Sequence, residues 1–80
     1  MALPQIRKYD FHSSSRDTEG SPNVFANGLP MHRKGDADTC GRQAQASTKT
    51  FANGKGRARL YDKNTCAEPE MNGSPNIFLD

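Results

Sequence analysis

Hydrophobic positions in this chain are sparse and come in short runs, each stopped by a turn signal. Val24-Phe25-Ala26 and Thr50-Phe51-Ala52 are strand-like triplets, and each runs directly into Asn-Gly. Asn-Gly suits a type I′ turn, whose two central residues need positive φ, so each triplet reads as the outgoing arm of a β-hairpin. Return strands are expected over residues 29–34 and 55–60. Pro22, Pro30 and Pro75 fit strand starts or edges, because proline has no N–H to give to a ladder. No segment has a convincing helical period. Residues 41–50 are polar enough to be loop, with a short helix there left open.

The pattern repeats. Residues 21–40 laid over residues 47–66, an offset of 26, share Ser21/Ser47, Phe25/Phe51, Ala26/Ala52, Asn27/Asn53, Gly28/Gly54, Arg33/Arg59, Asp36/Asp62, Thr39/Thr65 and Cys40/Cys66. The same offset run backwards lays Leu29–Asp36 over Leu3–Asp10 and finds Leu3, Pro4, Arg7, Lys8 and Asp10 matched. The front half missing from that third copy stands at the other end of the chain, where Gly73-Ser74-Pro75-Asn76-Ile77-Phe78 closely follows Gly20-Ser21-Pro22-Asn23-Val24-Phe25. Fixed-period repeats are to be sought before single elements, because missing them mis-assigns the fold. The expectation is therefore an all-β, small, cone-shaped, pseudo-threefold repeat of β-hairpins. Its units are approximately 21–46, 47–72, and 73–80 plus 1–20. Pairing of the N- and C-terminal strands would close the third hairpin and remove an exposed sheet edge.

Bulk composition narrows the rest. In 80 residues the hydrophobic fraction is 32% and the mean hydropathy −0.91, so the core must be thin. A domain this small usually needs a disulfide, a metal or a partner. Eleven basic and nine acidic residues leave a net charge of +2, without the basic concentration of a nucleic-acid binder. No run approaches a membrane span, and the first residues lack the apolar stretch of a secretory signal, so a cytoplasmic origin is expected. In that setting two cysteines read more naturally as metal ligands than as a structural disulfide.

The unit Gly-Ser-Pro-Asn-Val-Phe-Ala-Asn-Gly-Leu-Pro-Met-His-Arg-Lys-Gly-Asp at 20–36 resembles the PAAR-repeat proteins, named for a Pro-Ala-Ala-Arg stretch that stands here as Pro30-Met31-His32-Arg33. Its counterparts are Pro4-Gln5-Ile6-Arg7 and Gly56-Arg57-Ala58-Arg59, so the alanines are mostly replaced. The Arg-x-x-Asp-x-x-Thr-Cys continuations at 33–40 and 59–66 match as well. The resemblance implies a cone seated on the end of a trimeric β-helical spike, in a contractile phage tail or a type VI secretion system. There it sharpens the spike and binds zinc near its apex through histidine and cysteine. Implied partners are the spike, one copy per trimer, and transiently the target membrane. The chain itself is expected to be a monomer, not an enzyme and not a nucleic-acid binder. The repeats leave no room for an effector extension, which tilts the expectation toward a virion tail tip over a secreted machine.

The repeat makes Ser14, Cys40 and Cys66 equivalent, so loops converging on the axis would bring Cys40 and Cys66 together. His12 enters the same neighbourhood and matches a position where the family often has a histidine ligand. His32 replaces Ile6 and Ala58, both apolar, and so is expected to face inward. The expected metal site is thus His12, His32, Cys40 and Cys66, with zinc as the ion and iron as the alternative. If His32 is a buried hydrogen-bonded residue instead, water or Asp38 is the fallback ligand. A Cys40–Cys66 disulfide, two free thiols and a catalytic Cys/His pair are the other readings.

Phe25, Phe51 and Phe78 are expected in the core, with threefold contact to a trimeric spike as the alternative. Arg7, Arg33 and Arg59 are expected on a solvated rim or against a spike, and Asp10, Asp36 and Asp62 as turn caps. The leading function is structural. A free-standing zinc-binding adaptor for a protein or nucleic acid is the alternative, and no nucleophile–base pair supports a hydrolase.

Overall fold

The computed structural model describes residues 2–79. They form three two-stranded antiparallel sheets and, among the described residues, no helix. β2 (Phe25–Ala26) pairs with β3 (Leu29–Pro30), β4 (Phe51–Ala52) with β5 (Lys55–Gly56), and β1 (Leu3–Pro4) with β6 (Phe78–Leu79). The last pair closes the ring that the split repeat calls for. The type I′ turns form as expected, with φ of 55° at Asn27 and Asn53 and 78° at Gly28 and Gly54. The return strands are shorter than expected, because after Met31 and Arg57, which still bond Val24 and Thr50, each chain leaves its own hairpin. It then bridges a neighbouring unit, through Gln5–Arg59, Arg7–Met31 and Arg33–Arg57. The result is a small all-β cone measuring 27 × 24 × 21 Å.

A ring of backbone hydrogen bonds encircles the pseudo-threefold axis. Ile6 N donates to Ala58 O, His32 N to Ile6 O and Ala58 N to His32 O, each at 3.0 Å. The Gln5 amide lies against the ring, giving Nε2 to Ile6 O at 2.6 Å and Ala58 O at 3.1 Å while its Oε1 accepts from Arg57 Nε. Ile6, Ala58, Ala26, Ala52, Met31 and Leu79 make up the buried apolar core. The strands alternate as a half-buried sheet should. Ala26, Ala52 and Leu79 turn inward, while their neighbours Phe25, Phe51 and Phe78 are 52%, 59% and 53% exposed. That corrects the assignment of these phenylalanines to the core: the inward strand positions hold alanine or leucine, and the rings face out.

The arginines are not a free solvated rim. Each closes a turn with its own aspartate: Arg7 with Asp10, Arg33 with Asp36 and Arg59 with Asp62, through N, Nε and Nη2 at 2.8–3.0 Å. The Asp10, Asp36 and Asp62 amides donate back to the arginine carbonyls, making a turn whose third residue is left-handed. Gly35 takes that position at φ 88°, and Tyr9 and Tyr61 at 79° and 73°.

Where the units meet, the repeat conserves volume by pairs. A Cβ on Gly20 would lie 2.8 Å from the Pro30 Cβ, and one on Gly73 3.1 Å from the Pro4 Cβ. In the remaining unit the bulk changes sides: Ala46 replaces the first glycine, and Gly56, whose Cβ would lie 3.2 Å from Ala46 Cβ, replaces the proline. The Ser47 carbonyl oxygen, 2.6 Å from the same Cβ position, excludes a side chain there as well. We expect Gly56→Pro to destabilise the protein and Ala46→Gly to restore only part of the loss. A double-mutant cycle by urea unfolding should give a coupling energy of roughly 1–3 kcal/mol, and additive effects would contradict the compensation.

Candidate metal centre

Beyond each arginine turn the chain forms a loop whose two ends carry inward side chains. Asp17 N donates to Asp10 O, Gln43 N to Asp36 O and Glu70 N to Asp62 O, so Asp17, Gln43 and Glu70 are threefold equivalents. His12, Asp38 and Asn64 are another such set, joined to the first by the bridges His12–Glu70, Asp17–Asp38 and Gln43–Asn64. His32 belongs to the backbone ring below. Polar side chains from three axial layers therefore converge where a larger protein would put hydrocarbon.

The convergence is close. His12 Nε2 lies 3.0 Å from Asp17 Oδ1 and 3.3 Å from both Asp38 Oδ2 and Glu70 Oε2, while His32 Nε2 lies 3.2 Å from Asp17 Oδ1. One donor atom from each of His12, Asp17, His32 and Glu70 falls within 4.8 Å of the others, and all four residues are buried. Neither imidazole can settle this by donating in its neutral form. His12 Nδ1 is 2.8 Å from the Glu68 carbonyl and His32 Nδ1 2.7 Å from the Glu19 carbonyl. A carbonyl only accepts, so in the neutral imidazoles each Nδ1 carries the hydrogen and each Nε2 presents a lone pair to the carboxylates. A carbonyl holding Nδ1–H in this way is what orients metal-bound histidines.

Electrostatics agree. Burial pushes Glu70 up to about 12, with the nearby Asp17 adding to it. Burial pulls the His12 imidazole down, but the adjacent Asp17 carboxylate, the Glu68 carbonyl and Asp38 outweigh it, and the net direction is upward. Both directions express one demand, for positive charge on the axis. Thr50 Oγ1 aside, the buried side-chain polar atoms without a hydrogen-bond partner among the described residues belong to these four residues, to Asp38 beside His12, and to Gln43, the threefold equivalent of Asp17 and Glu70. Such atoms are costly unless something binds them. The donor set fits a metal ion.

Of the residues expected at the site, the structure brings His12 and His32 together. It corrects Cys40 and Cys66: their sulfurs are joined as a disulfide, S–S 1.95 Å and Cα–Cα 6.4 Å, so neither is a free thiolate. The loops converge as the repeat implies, and the thiols then satisfy each other at the exposed surface. Asp38 Oδ1 accepts from Cys40 N and Gly41 N, and Asn64 Oδ1 from Cys66 N and Glu68 N, which orients both half-cystines. Asp17 and Glu70 were not anticipated. The signal was in the sequence, since Asp17, Gln43 and Glu70 follow Asp10, Asp36 and Asp62 by seven, seven and eight residues.

Comparison with known proteins agrees with this architecture. The PAAR motif matches residues 13–69. The chain belongs to the PAAR-motif family. Membership places it in the general class of spike-tip proteins of contractile injection machines, a structural class and not an enzymatic one. No curated protein matches the chain.

Two outcomes test the PAAR site. The Cys40→Ser/Cys66→Ser protein should lose about 3–4 kcal/mol of stability, from reopening a closed loop with a sequence separation of 26. It should nevertheless bind metal at the wild-type stoichiometry by elemental analysis, whereas loss of the metal would restore the cysteines as ligands. The chelated protein should lose stability as pH rises. A carboxyl raised to about 12 in the fold holds a proton that the unfolded chain releases above roughly pH 4.5. Its melting temperature should therefore fall between pH 5 and pH 9, and a rise over that window would contradict the buried-acid picture.

Proposed function

We propose that this PAAR-motif chain caps and sharpens a trimeric β-helical spike, one copy per trimer, with one metal ion on its axis as the staple. The observation that carries the reading is the trio Phe25, Phe51 and Phe78. Three large aromatics face solvent while Ala26, Ala52 and Leu79 beside them fill the interior. That distribution is unfavourable for a free monomer and suits a surface that will be covered. Their threefold equivalence lets each chain of a homotrimer meet the same group. Around them a polar belt already joins the units, through Asn27 to Asn76 and Asn53 to Asn23 at 2.8 Å.

The metal would be held by His12, Asp17, His32 and Glu70. Zinc is the ion that the family resemblance implies, with iron as the alternative. The ion would supply a rigid cross-link between chain segments from units that share almost no apolar core. Stiffness at the apex is what brief passage through a target membrane requires. The placement in a phage tail or a secreted machine follows from the same reading.

Mixing the chain with trimeric β-helical spikes should give complexes of one copy per three spike chains, read by native mass spectrometry. Phe51→Asp should weaken that complex at least tenfold and leave the melting temperature of the free chain nearly unchanged, since the ring is exposed. Failure to bind any spike would overturn the cap and favour a free-standing metal-binding adaptor. Chelation should lower the melting temperature sharply, because ligand binding and folding are coupled. An unchanged melt with no metal on elemental analysis would remove the staple.

A further inference from the structure

The unpartnered atoms on the axis extend beyond four residues. We propose that the ion is held by six side chains, with Asp38 and Gln43 joining His12, Asp17, His32 and Glu70. It is then a six-coordinate divalent ion of the iron(II), manganese or cobalt kind, not a four-coordinate zinc. This deepens the metal reading above and rests on it.

Asp38 uses only Oδ1 to cap its loop; Oδ2 is buried, has no hydrogen-bond partner and faces His12 Nε2 at 3.3 Å. Gln43 occupies the ring position of Asp17 and Glu70. Its Nε2 is held by the Gln45 carbonyl at 2.8 Å, which leaves Oε1 buried and unpartnered. A glutamine there offers a neutral oxygen where a third carboxylate would add another buried negative charge. The full set is two imidazole nitrogens and four oxygens, with no sulfur.

The chemistry of that set is specific. Structural zinc sites are almost always four-coordinate and favour thiolate and imidazole. Oxygen-rich sets with more donors suit ions that take six ligands. With bonds of ~2.1 Å, donors at right angles lie about 3.0 Å apart and opposite donors about 4.2 Å, a span that contains the 3.0–3.3 Å separations around His12 Nε2 and the 3.9 Å from His32 Nε2 to Glu70 Oε2.

The test loads the chelated full chain with cobalt(II) and, separately, manganese(II). Six-coordinate cobalt gives weak d–d absorption, and four-coordinate cobalt gives intense bands at longer wavelength. The wild-type chain should take up one cobalt and show the weak spectrum; an intense four-coordinate spectrum would overturn the proposal. Water-proton relaxation should find no exchangeable water on the manganese of the wild-type chain. In Asp38→Asn, which retains the oxygen that caps the loop, and in Gln43→Leu, one water should appear and cobalt affinity should fall roughly tenfold or more. Wild-type relaxation showing bound water, with both variants unchanged, would exclude Asp38 and Gln43 as ligands. Absence of any cobalt uptake is a different result, and it removes the metal reading together with this one. The wild-type spectrum alone decides the coordination number should a variant fail to fold.

Discussion

Three backbone hydrogen bonds around one axis, from Ile6 to Ala58, His32 to Ile6 and Ala58 to His32, hold the three units in register. Main-chain groups are indifferent to side-chain identity, so the ring tolerates isoleucine, histidine and alanine at its three positions. It thereby frees those side chains for different work. One fills the core, one leaves space, and one carries an imidazole into the centre. The arginine–aspartate turns then fix the direction in which each chain leaves the ring. Everything that converges on the axis does so because the ring and the turns aim it there.

That convergence creates an electrostatic problem in place of a hydrophobic solution. A domain of this size has little apolar area to bury, and this one buries carboxylates instead. Buried acids without compensation oppose folding. The same groups make a donor set that could hold a metal ion, which would turn the repulsion into a cross-link. The disulfide between Cys40 and Cys66 secures a neighbouring pair of loops by covalent means.

Much of this architecture was legible in the sequence because it rests on repetition. The hairpins, their Asn-Gly turns, the closure by β1 and β6 and the inward position of His32 all follow from a fixed offset with turn chemistry at known places. What was not legible depends on the breadth of the structure. A three-residue apolar run does not say which residue faces in, and only the narrow interior decides that alanine enters and phenylalanine does not. Likewise, Cys40 and Cys66 signal a shared destination but not its chemistry. Whether two thiols bind a metal or each other depends on what else reaches the axis, and here carboxylates arrive from loop ends that the identity match alone passes over.

The pairing of β1 with β6 has a consequence for how the molecule is made. In an open repeat array each unit rests only on its neighbour, and folding can start anywhere and spread. Here residues 3–4 find their partners at residues 78–79. The sets on the axis likewise draw members far apart in sequence, at residues 6, 32 and 58, at 12, 38 and 64, and at 17, 43 and 70. Folding is therefore dominated by contacts distant in sequence, the kind that form slowly because loop closure must precede them.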